Sequence, residues 1–363
     1  MNSFKTRGKE LVGEALLRMG VWRRCLRGWA GRGEAIILIY HRVIEKWDRT
    51  LDYSQPGMVV TADTFERQLQ FLKKHFHIVP LSSFLNPTPN TQHPKPLCAI
   101  TFDDGWRDNY EIAFPILQKH SVPATIFLTT DFIGTNRAFW HTELMYLLMH
   151  GDLSKLLRNE SVFRTYPGPV RYRLMRLART TTSPAAQAVD LVIEAVKEKC
   201  DEPTIEDLIH DLSKSAAIPR PMLTDRRFFL DWAQIREMAA AGIEIGSHGC
   251  SHRILTRLKP EEAKEELTRS KADIESRIGR AVQHFAFPEG AANAGLMPLV
   301  RESGYRTASL CRTVPEGRQA EPVALRRLGM HEGVAAADDG SFSGTSLLLW
   351  LLRAPRIKPG LHR

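Results

Sequence analysis

Short apolar runs alternate along this chain with longer segments whose apolar residues recur at helical spacing. Ala35-Ile36-Ile37-Leu38-Ile39-Tyr40 is one continuous apolar run. Leu97-Cys98-Ala99-Ile100, Ala124-Thr125-Ile126-Phe127-Leu128, Ile243-Glu244-Ile245-Gly246, His284-Phe285-Ala286-Phe287 and Tyr305 to Leu310 repeat the theme. Between them, Phe65, Leu69, Leu72 and Phe76 fall on one stripe of a helix predicted over Thr61 to Phe76, with Asp63 near its start. Asn109 to His120, and a charged stretch opened by Pro260 and running to about Ile278, read as further helices. Asp231 caps another that carries Trp232, Ile235 and Met238 on one face, with Gly242 in a stop position. Apolar strands without polar alternation, separated by helices, imply a parallel sheet covered on both faces. With about seven such strands, a closed or distorted barrel is expected rather than an open sheet.

Residues 140–229 break the rhythm. Helical pieces around Glu143–Met149 and Ala185–Lys199 are separated by Pro, Gly and Thr180-Thr181-Thr182, and the region reads as an insertion between two barrel strands. It either lids the site or pads the barrel wall. The predicted division is a barrel over 34–139 and 230–333, the helical insertion 140–229, an N-terminal segment 1–33 and a tail 334–363. Pro87 to Pro96 is a Pro/Asn/Thr loop leading into the strand before Asp103.

The 363 residues, 43% hydrophobic and 25% charged, describe a soluble globular chain. A net charge of +9 favours anionic partners. Nucleic acid is not expected, because zinc-finger spacing, RNA-binding motifs and a Lys-rich tail are all missing from the sequence. The cysteines, Cys25, Cys98, Cys200, Cys250 and Cys311, are odd in number and not closely paired, which fits a reducing, cytoplasmic compartment. Arg18, Arg23, Arg24 and Arg27 interrupt every apolar core a secretory signal would need. The same arginines accompany Val12, Leu16, Met19, Trp22, Leu26 and Trp29 at near-helical spacing, a basic amphipathic pattern. Leu347 to Leu352, followed by Arg353, Arg356 and Lys358, repeats it in the tail. Two expectations stand side by side. Segments 1–33 and 347–358 hold the protein peripherally at the inner face of a membrane, or both ends pack on the barrel and close its bottom.

The chemistry is concentrated at two strand ends. Thr101-Phe102-Asp103-Asp104-Gly105 places adjacent carboxylates after a buried-looking strand, where an ionised pair is costly unless a metal or a proton offsets the repulsion. Ser247-His248-Gly249-Cys250-Ser251-His252 follows another strand and offers two imidazoles four residues apart. Two histidines and one carboxylate can bind zinc and leave a position open for water, while the second carboxylate serves as a base. Either motif alone is ordinary. Together they form the ligand set of a metal-dependent hydrolase.

These motifs resemble those of the polysaccharide deacetylase (NodB-homology) family of metal-dependent carbohydrate esterases. Thr101 to Gly105 matches its first motif and Ser247 to His252 its second. Phe285-Ala286-Phe287-Pro288-Glu289-Gly290 resembles the third, and Leu38-Ile39-Tyr40-His41-Arg42-Val43 the opening strand of many members. The resemblance covers 35–139 and 230–331. It implies a distorted (β/α)7-type barrel in which Asp104, His248 and His252 hold the metal, usually Zn2+, and Asp103 is the general base. A backbone N–H after the third-motif strand would stabilise the oxyanion; Pro288 has none, so Glu289 is the donor expected. Leu328-Gly329-Met330-His331 fits the late motif that supplies the acid, His331.

The chain also departs from the family pattern. Ala286 stands where the family commonly carries an arginine that orients the base, with Arg326 or Arg327 as stand-ins, and Glu289 replaces a common aromatic residue. His41 either reaches the site floor or is structural, and Cys250 is read as a small filler. The implied activity removes an N-acyl group, foremost acetyl, from an amino sugar of a glycan or glycolipid. The rivals are a deformylase on a lipid-linked amino sugar and a non-catalytic glycan-binding barrel that retains the metal site.

Overall fold

A computed structural model describes residues 20–48, 53–85, 93–155, 162–179, 186–216, 218, 227–310, 323–337 and 339–357. Its strands are β1 (Ala35–Tyr40), β2 (Arg42–Ile44), β3 (Val59–Thr61), β4 (His77–Ile78), β5 (Leu97–Phe102), β6 (Thr125–Leu128), β7 (Glu244–Ser247), β8 (His284–Ala286), β9 (Thr307–Leu310), β10 (Val323–Arg326) and β11 (Leu328–Gly329). Every residue of β1 is buried, as its unbroken apolar pattern demands of a strand covered on both faces.

The main sheet is parallel throughout, in the order β10-β9-β8-β7-β6-β5-β1-β11. Its two ends, β10 and β11, are consecutive in the chain and separated only by Arg327. β10 pairs with β9 and β11 with β1 (Leu38 opposite Leu328), so a single residue bridges the two edges and nearly closes a barrel. Counting β10 and β11 as one interrupted strand leaves seven staves: β1, β5, β6, β7, β8, β9 and β10/β11. The distortion is visible at β5. One flank pairs with β1 along its whole length; the other is shared between β4 at Leu97 and Cys98 and β6 at Thr101 and Phe102. β2 and β3 form a separate two-stranded sheet.

Helices cover the barrel much as the apolar spacing predicts. In Ala62–His75 the Thr61 hydroxyl accepts the Thr64 N–H at 3.3 Å, and in Trp232–Ala240 Asp231 and Gln234 form a reciprocal capping box. Pro260–Ile278 ends at Gly279 in the left-handed region (φ 67°). Over 109–120 the structure differs from a plain helix: Asn109–Ala113 is a π-turn that leads into the helix Phe114–Lys119.

The tryptophan stripe near the N-terminus turns inward. In the helix Val21–Gly31, Trp22, Leu26 and Trp29 are buried. The two indoles meet edge-on at 5.8 Å and both pack on Phe76. In the tail helix Gly344–Leu351, Leu347, Leu348 and Leu351 are buried as well. Of the apolar residues expected to enter a headgroup layer, Trp22, Leu26, Trp29, Leu347, Leu348 and Leu351 are thus buried and Leu349, Trp350 and Leu352 half-buried, and the exposed face of Val21–Gly31 carries Arg23, Arg24 and Arg27. Val12, Leu16, Arg18, Met19, Lys358, Cys311 and most of the Pro87–Pro96 loop lie outside the described residues. Among the described residues no helix is long and apolar enough to cross a membrane.

The chain divides into two compact units. The barrel unit comprises the described residues up to Lys46, Pro56–Thr135 and those from Phe229 onward; the second comprises Trp47–Gln55 and Asn136–Phe228. Residues 47–55 thus group with the helical region, which the sequence pattern alone did not indicate, while the N-terminal and tail helices cluster with the barrel. The second unit contains the helices Trp140–His150, Gly168–Ala178, Ala186–Lys199 and Glu202–Ala216. Leu144, Leu148, Leu174, Val192, Val196, Leu208 and Leu212 form its apolar centre.

Candidate active site

The polar groups of interest emerge at the C-terminal ends of β5, β7 and β8, where parallel α/β barrels leave strand ends uncovered. Beyond β5, the Asp103 N–H donates to Tyr40 O at 3.0 Å, which extends the pairing with β1 by one step. The chain then reverses through two consecutive left-handed residues, Asp104 (φ 75°) and Gly105 (φ 78°). Gly105 has no alternative: a Cβ there would sit 3.0 Å from Leu128 and Ile133 side-chain carbons. Asp104, His252 (φ 64°) and Glu289 (φ 58°) are three of the five described non-glycine residues with positive φ. Strain of this kind persists where the surroundings over-determine it and gathers at functional sites.

The reversal sends the two carboxylates to different partners. Asp103 is buried and receives a bidentate pair from Arg327, Nη1 to Oδ1 and Nη2 to Oδ2, both 2.6 Å. Arg327 Nη1 also donates to Thr101 Oγ1 at 3.1 Å, and the guanidinium lies over the Phe127 ring at 5.3 Å. Burial alone would raise the Asp103 pKa, but the Arg327 charge, helped by His248, holds it below the ordinary carboxylate range. Asp103 is therefore an oriented, ionised carboxylate. Of the two arginines the sequence offered as stand-ins, Arg327, the residue at the barrel seam, is the one that pairs with Asp103.

Asp104 turns toward the histidines instead. Its Oδ1 lies 3.4 Å from His248 Nε2 and 3.2 Å from His252 Nε2. Asp104 Oδ2 accepts the indole N–H of Trp106 at 2.7 Å. Trp106 is itself fixed, stacked on Phe229 at 4.8 Å and beneath Arg42 at 4.8 Å; Arg42 pairs with buried Asp108 at 2.8 Å. An aromatic N–H donor directly after Asp-Asp-Gly was the available sequence signal for Trp106, and pattern reasoning passed over it. Burial would raise the Asp104 pKa too, but His252, His41 and His248 outweigh it and hold the group far below its usual value.

Asp104, His248 and His252 each offer a ligand atom, all within 4.8 Å of one another. The chemistry of these donors fits a cation. His248 Nδ1 lies 2.7 Å from Ala286 O, a carbonyl that can only accept, so the ring proton sits on Nδ1. Burial lowers the His248 pKa, which keeps the ring neutral. Its Nε2 lone pair then faces the Asp104 carboxylate, whose Oδ1 has no hydrogen-bond partner among the described residues. Two buried acceptors facing each other repel, and a divalent ion between them turns the repulsion into coordination. Ala286 thus supplies a carbonyl that fixes the tautomer, although it lacks the family's arginine side chain.

The remaining expected residues are placed as follows. Glu289 sits in the short helical turn Pro288–Gly290 just beyond β8. His331 follows β11; its ring packs edge-on against Trp350 at 5.9 Å, and burial lowers its pKa. The largest charge effects on Asp103 and Asp104 come from Arg327, His248, His252 and His41. His41 follows β1 directly, and its buried Nδ1 has no hydrogen-bond partner among the described residues. Cys250 is fully buried with its thiol pushed up to about 12, chiefly by burial, as befits a filler rather than a ligand.

Comparison with known proteins agrees with this geometry. The sequence profile of the family described as polysaccharide deacetylase matches residues 90–190 and 192–308. A curated relative, the poly-beta-1,6-N-acetyl-D-glucosamine N-deacetylase of Staphylococcus epidermidis, is 34% identical over 113 residues, 29% of this chain and 39% of the relative. The match therefore spans about two fifths of that relative's length. Among solved structures, the Streptococcus pyogenes deacetylase PplD in complex with acetate superposes with a TM-score of 0.50 at 15% identity, covering 87% of this chain and 97% of that one. IcaB from Ammonifex degensii gives 0.50 at 17% identity, covering 87% and 96%. At these identities the structural likeness speaks to the barrel fold.

Proposed function

The chain belongs to the polysaccharide deacetylase family, and from that membership we propose that it is a metal-dependent hydrolase of the N-acetyl amides of a glycan's amino sugars. The observation that carries this reading is the division of labour between adjacent aspartates: Asp103 is locked to Arg327, and Asp104 is turned toward two imidazole nitrogens. The named activity of the Staphylococcus epidermidis relative makes β-1,6-linked N-acetylglucosamine the first substrate to try.

A divalent cation, foremost zinc, held by Asp104, His248 and His252 would supply Lewis-acid polarisation of the amide carbonyl and a more acidic water. Asp103 removes a proton from that water as its oxygen bonds to the carbonyl carbon. Arg327 keeps Asp103 ionised and aims its oxygens. The Glu289 backbone N–H, in the turn just beyond β8, is the donor we assign to the oxyanion. As the C–N bond breaks, the leaving amine takes a proton, yielding acetate and a free amino sugar. His331, the residue of the late Leu-x-x-His motif, is the donor we assign to that step, with His41, whose buried Nδ1 has no hydrogen-bond partner among the described residues, as the second candidate. The buried Arg327–Asp103 pair also favours an active enzyme over a non-catalytic glycan-binding barrel.

The test is acyl release. Zinc-loaded protein incubated with N-acetylated β-1,6-glucosamine oligomers is expected to liberate acetate. Binding without release of any acyl group would restore the non-catalytic reading. Formate released from a lipid-linked N-formyl analogue in preference to acetate would favour a deformylase.

The expectation of a cytoplasmic, membrane-peripheral location takes a revised form. With Trp22 and Trp29 buried, attachment would be electrostatic, through Arg23, Arg24 and Arg27, and the free cysteines Cys25, Cys98, Cys200 and Cys250 fit a reducing compartment. Co-sedimentation with anionic vesicles that disappears at high salt supports this attachment. A protein that stays in the supernatant at low salt rules it out.

A further inference from the structure

The loop carrying both candidate histidine ligands is gripped by one helix, Pro260–Ile278. Glu266, near the middle of that helix, is only 6% exposed yet carries a carboxylate. Its Oε2 accepts the backbone N–H of Cys250 at 2.6 Å and of Ser251 at 3.0 Å, and its Oε1 accepts the Ser251 hydroxyl. One helical turn on, Ser270 Oγ meets Ser247 Oγ at 2.7 Å, and Ser247 Oγ accepts the Gly249 N–H at 3.2 Å. The loop's carbonyls are held from another side: Gly249 O accepts from Thr130 N at 3.1 Å and Cys250 O from Asp131 N at 2.9 Å. Asp131 in turn takes a bidentate contact at 2.8 and 2.9 Å from Arg269 of the same helix.

This grip has a physical purpose. His252 sits at φ 64°, a conformation that costs a non-glycine residue free energy unless its surroundings hold it. Gly249 is left-handed too (φ 81°), and a Cβ there would approach Glu266 Oε2 to 3.0 Å, so the backbone closes directly onto the carboxylate. A buried carboxylate without a cationic partner is costly, and here two amides and a hydroxyl compensate it. An apolar residue would have packed this position without that cost.

We infer that Glu266 is a positioning residue that sets metal affinity by holding residues 249–252 in the turn that brings His252 beside His248 and Asp104. The inference rests on the metal-site reading above and goes beyond it. Glu266 touches no ligand atom, so its effect passes through the Cys250 and Ser251 amides. Groups that orient metal ligands in this way typically change metal affinity by about 10- to 100-fold when removed.

Zinc affinity of the full chain is measured by competition with a chromophoric chelator, alongside the melting temperature of the metal-free protein. The set is wild type, Glu266→Gln, Glu266→Asp, His248→Ala, and Leu267→Ala as a control for general destabilisation in the same helix. Glu266→Gln is expected to bind zinc about 10- to 100-fold more weakly, because a side-chain amide presents one acceptor oxygen where the loop uses two. Glu266→Asp should recover part of the loss. Leu267→Ala should lower the melting temperature and leave zinc affinity within a few-fold of wild type. Wild-type affinity in Glu266→Gln, or an equal loss in Leu267→Ala, overturns the inference while the metal site stands. Equal zinc binding by wild type and His248→Ala would instead overturn the metal site itself, and the inference with it.

Discussion

The helical unit and the barrel's strand ends bury comparable side chains in different company. Around Leu144, Leu174, Val192, Leu208 and Leu212 the buried residues are mostly apolar, and the polar groups described among that unit's buried residues are uncharged: Ser54, Thr142 and the hydroxyls of Tyr53 and Tyr166. The barrel unit buries Arg42, Asp103, Asp104, Asp108, His248, Glu266, His284 and Arg327. The first kind of core needs only volume and shape. The second is stable because each charge has an assigned partner: Arg327 for Asp103, Arg42 for Asp108, two amides for Glu266. Asp104 is the exception in kind: its Oδ1 faces two imidazoles, His248 at 3.4 Å and His252 at 3.2 Å, and that arrangement marks the candidate site. A buried carboxylate turned toward two imidazoles is a better pointer to chemistry than a cavity.

The contrast can be broken by substitution, and the largest effects belong at the exception. Asp104→Ala and His248→Ala should each abolish zinc retention and lower acetate release by about 10³-fold or more, the equivalent of several kcal/mol of Lewis-acid stabilisation. A full zinc equivalent retained by both variants would dismantle the site. His284→Ala should retain the metal, since His284 Nδ1 lies against Thr307 Oγ1 at 2.8 Å on the strand instead. Asp103→Asn tests the paired neighbour. It should keep its zinc and lose about 10²- to 10⁴-fold in turnover, because an amide cannot take the proton. Turnover close to wild type would remove Asp103 from the mechanism.

The smaller effects separate the two cores by stability. Leu208→Ala should cost about 2–5 kcal/mol, seen in hydrogen exchange as faster opening of the helices Ala186–Lys199 and Glu202–Ala216, with the same cost at pH 7 and pH 5. Strong pH dependence of that cost would mean an ionisable group has been overlooked in the helical core.

In the barrel unit the pH dependence should be present. Burial pushes His284 down to about 4 from its ordinary 6.5. Below pH 6.5 the unfolded chain takes up a proton that the native chain refuses until about pH 4. Stability is therefore intact above pH 6.5 and falls as pH drops through that window, by up to about 3 kcal/mol. His284→Gln should flatten this part of the profile, and an unchanged slope would assign it to other groups.

Much of this was written in local pattern. Runs such as Ala35–Tyr40 could only be strands covered on both faces, Pro260–Ile278 carried its own start and stop, and the Asp-Asp-Gly and His-x-x-x-His segments announced a ligand set because donor types and strand-end positions are local properties. What pattern could not carry was pairing between residues far apart. Whether Trp22 and Trp29 face lipid or Phe76 depends on which surface meets the helix, and amphipathic spacing is the same in both cases. Arg326 and Arg327 were equal candidates until the barrel seam fixed one of them on Asp103, 224 residues away in sequence. Glu266 looked like any charge on a polar helix until the fold pressed the Cys250 and Ser251 amides onto it. Hydrophobic periodicity decides which face of an element is buried. Which buried charge meets which partner is decided only when the sheet closes, because closure sets the distances on which electrostatic compensation depends.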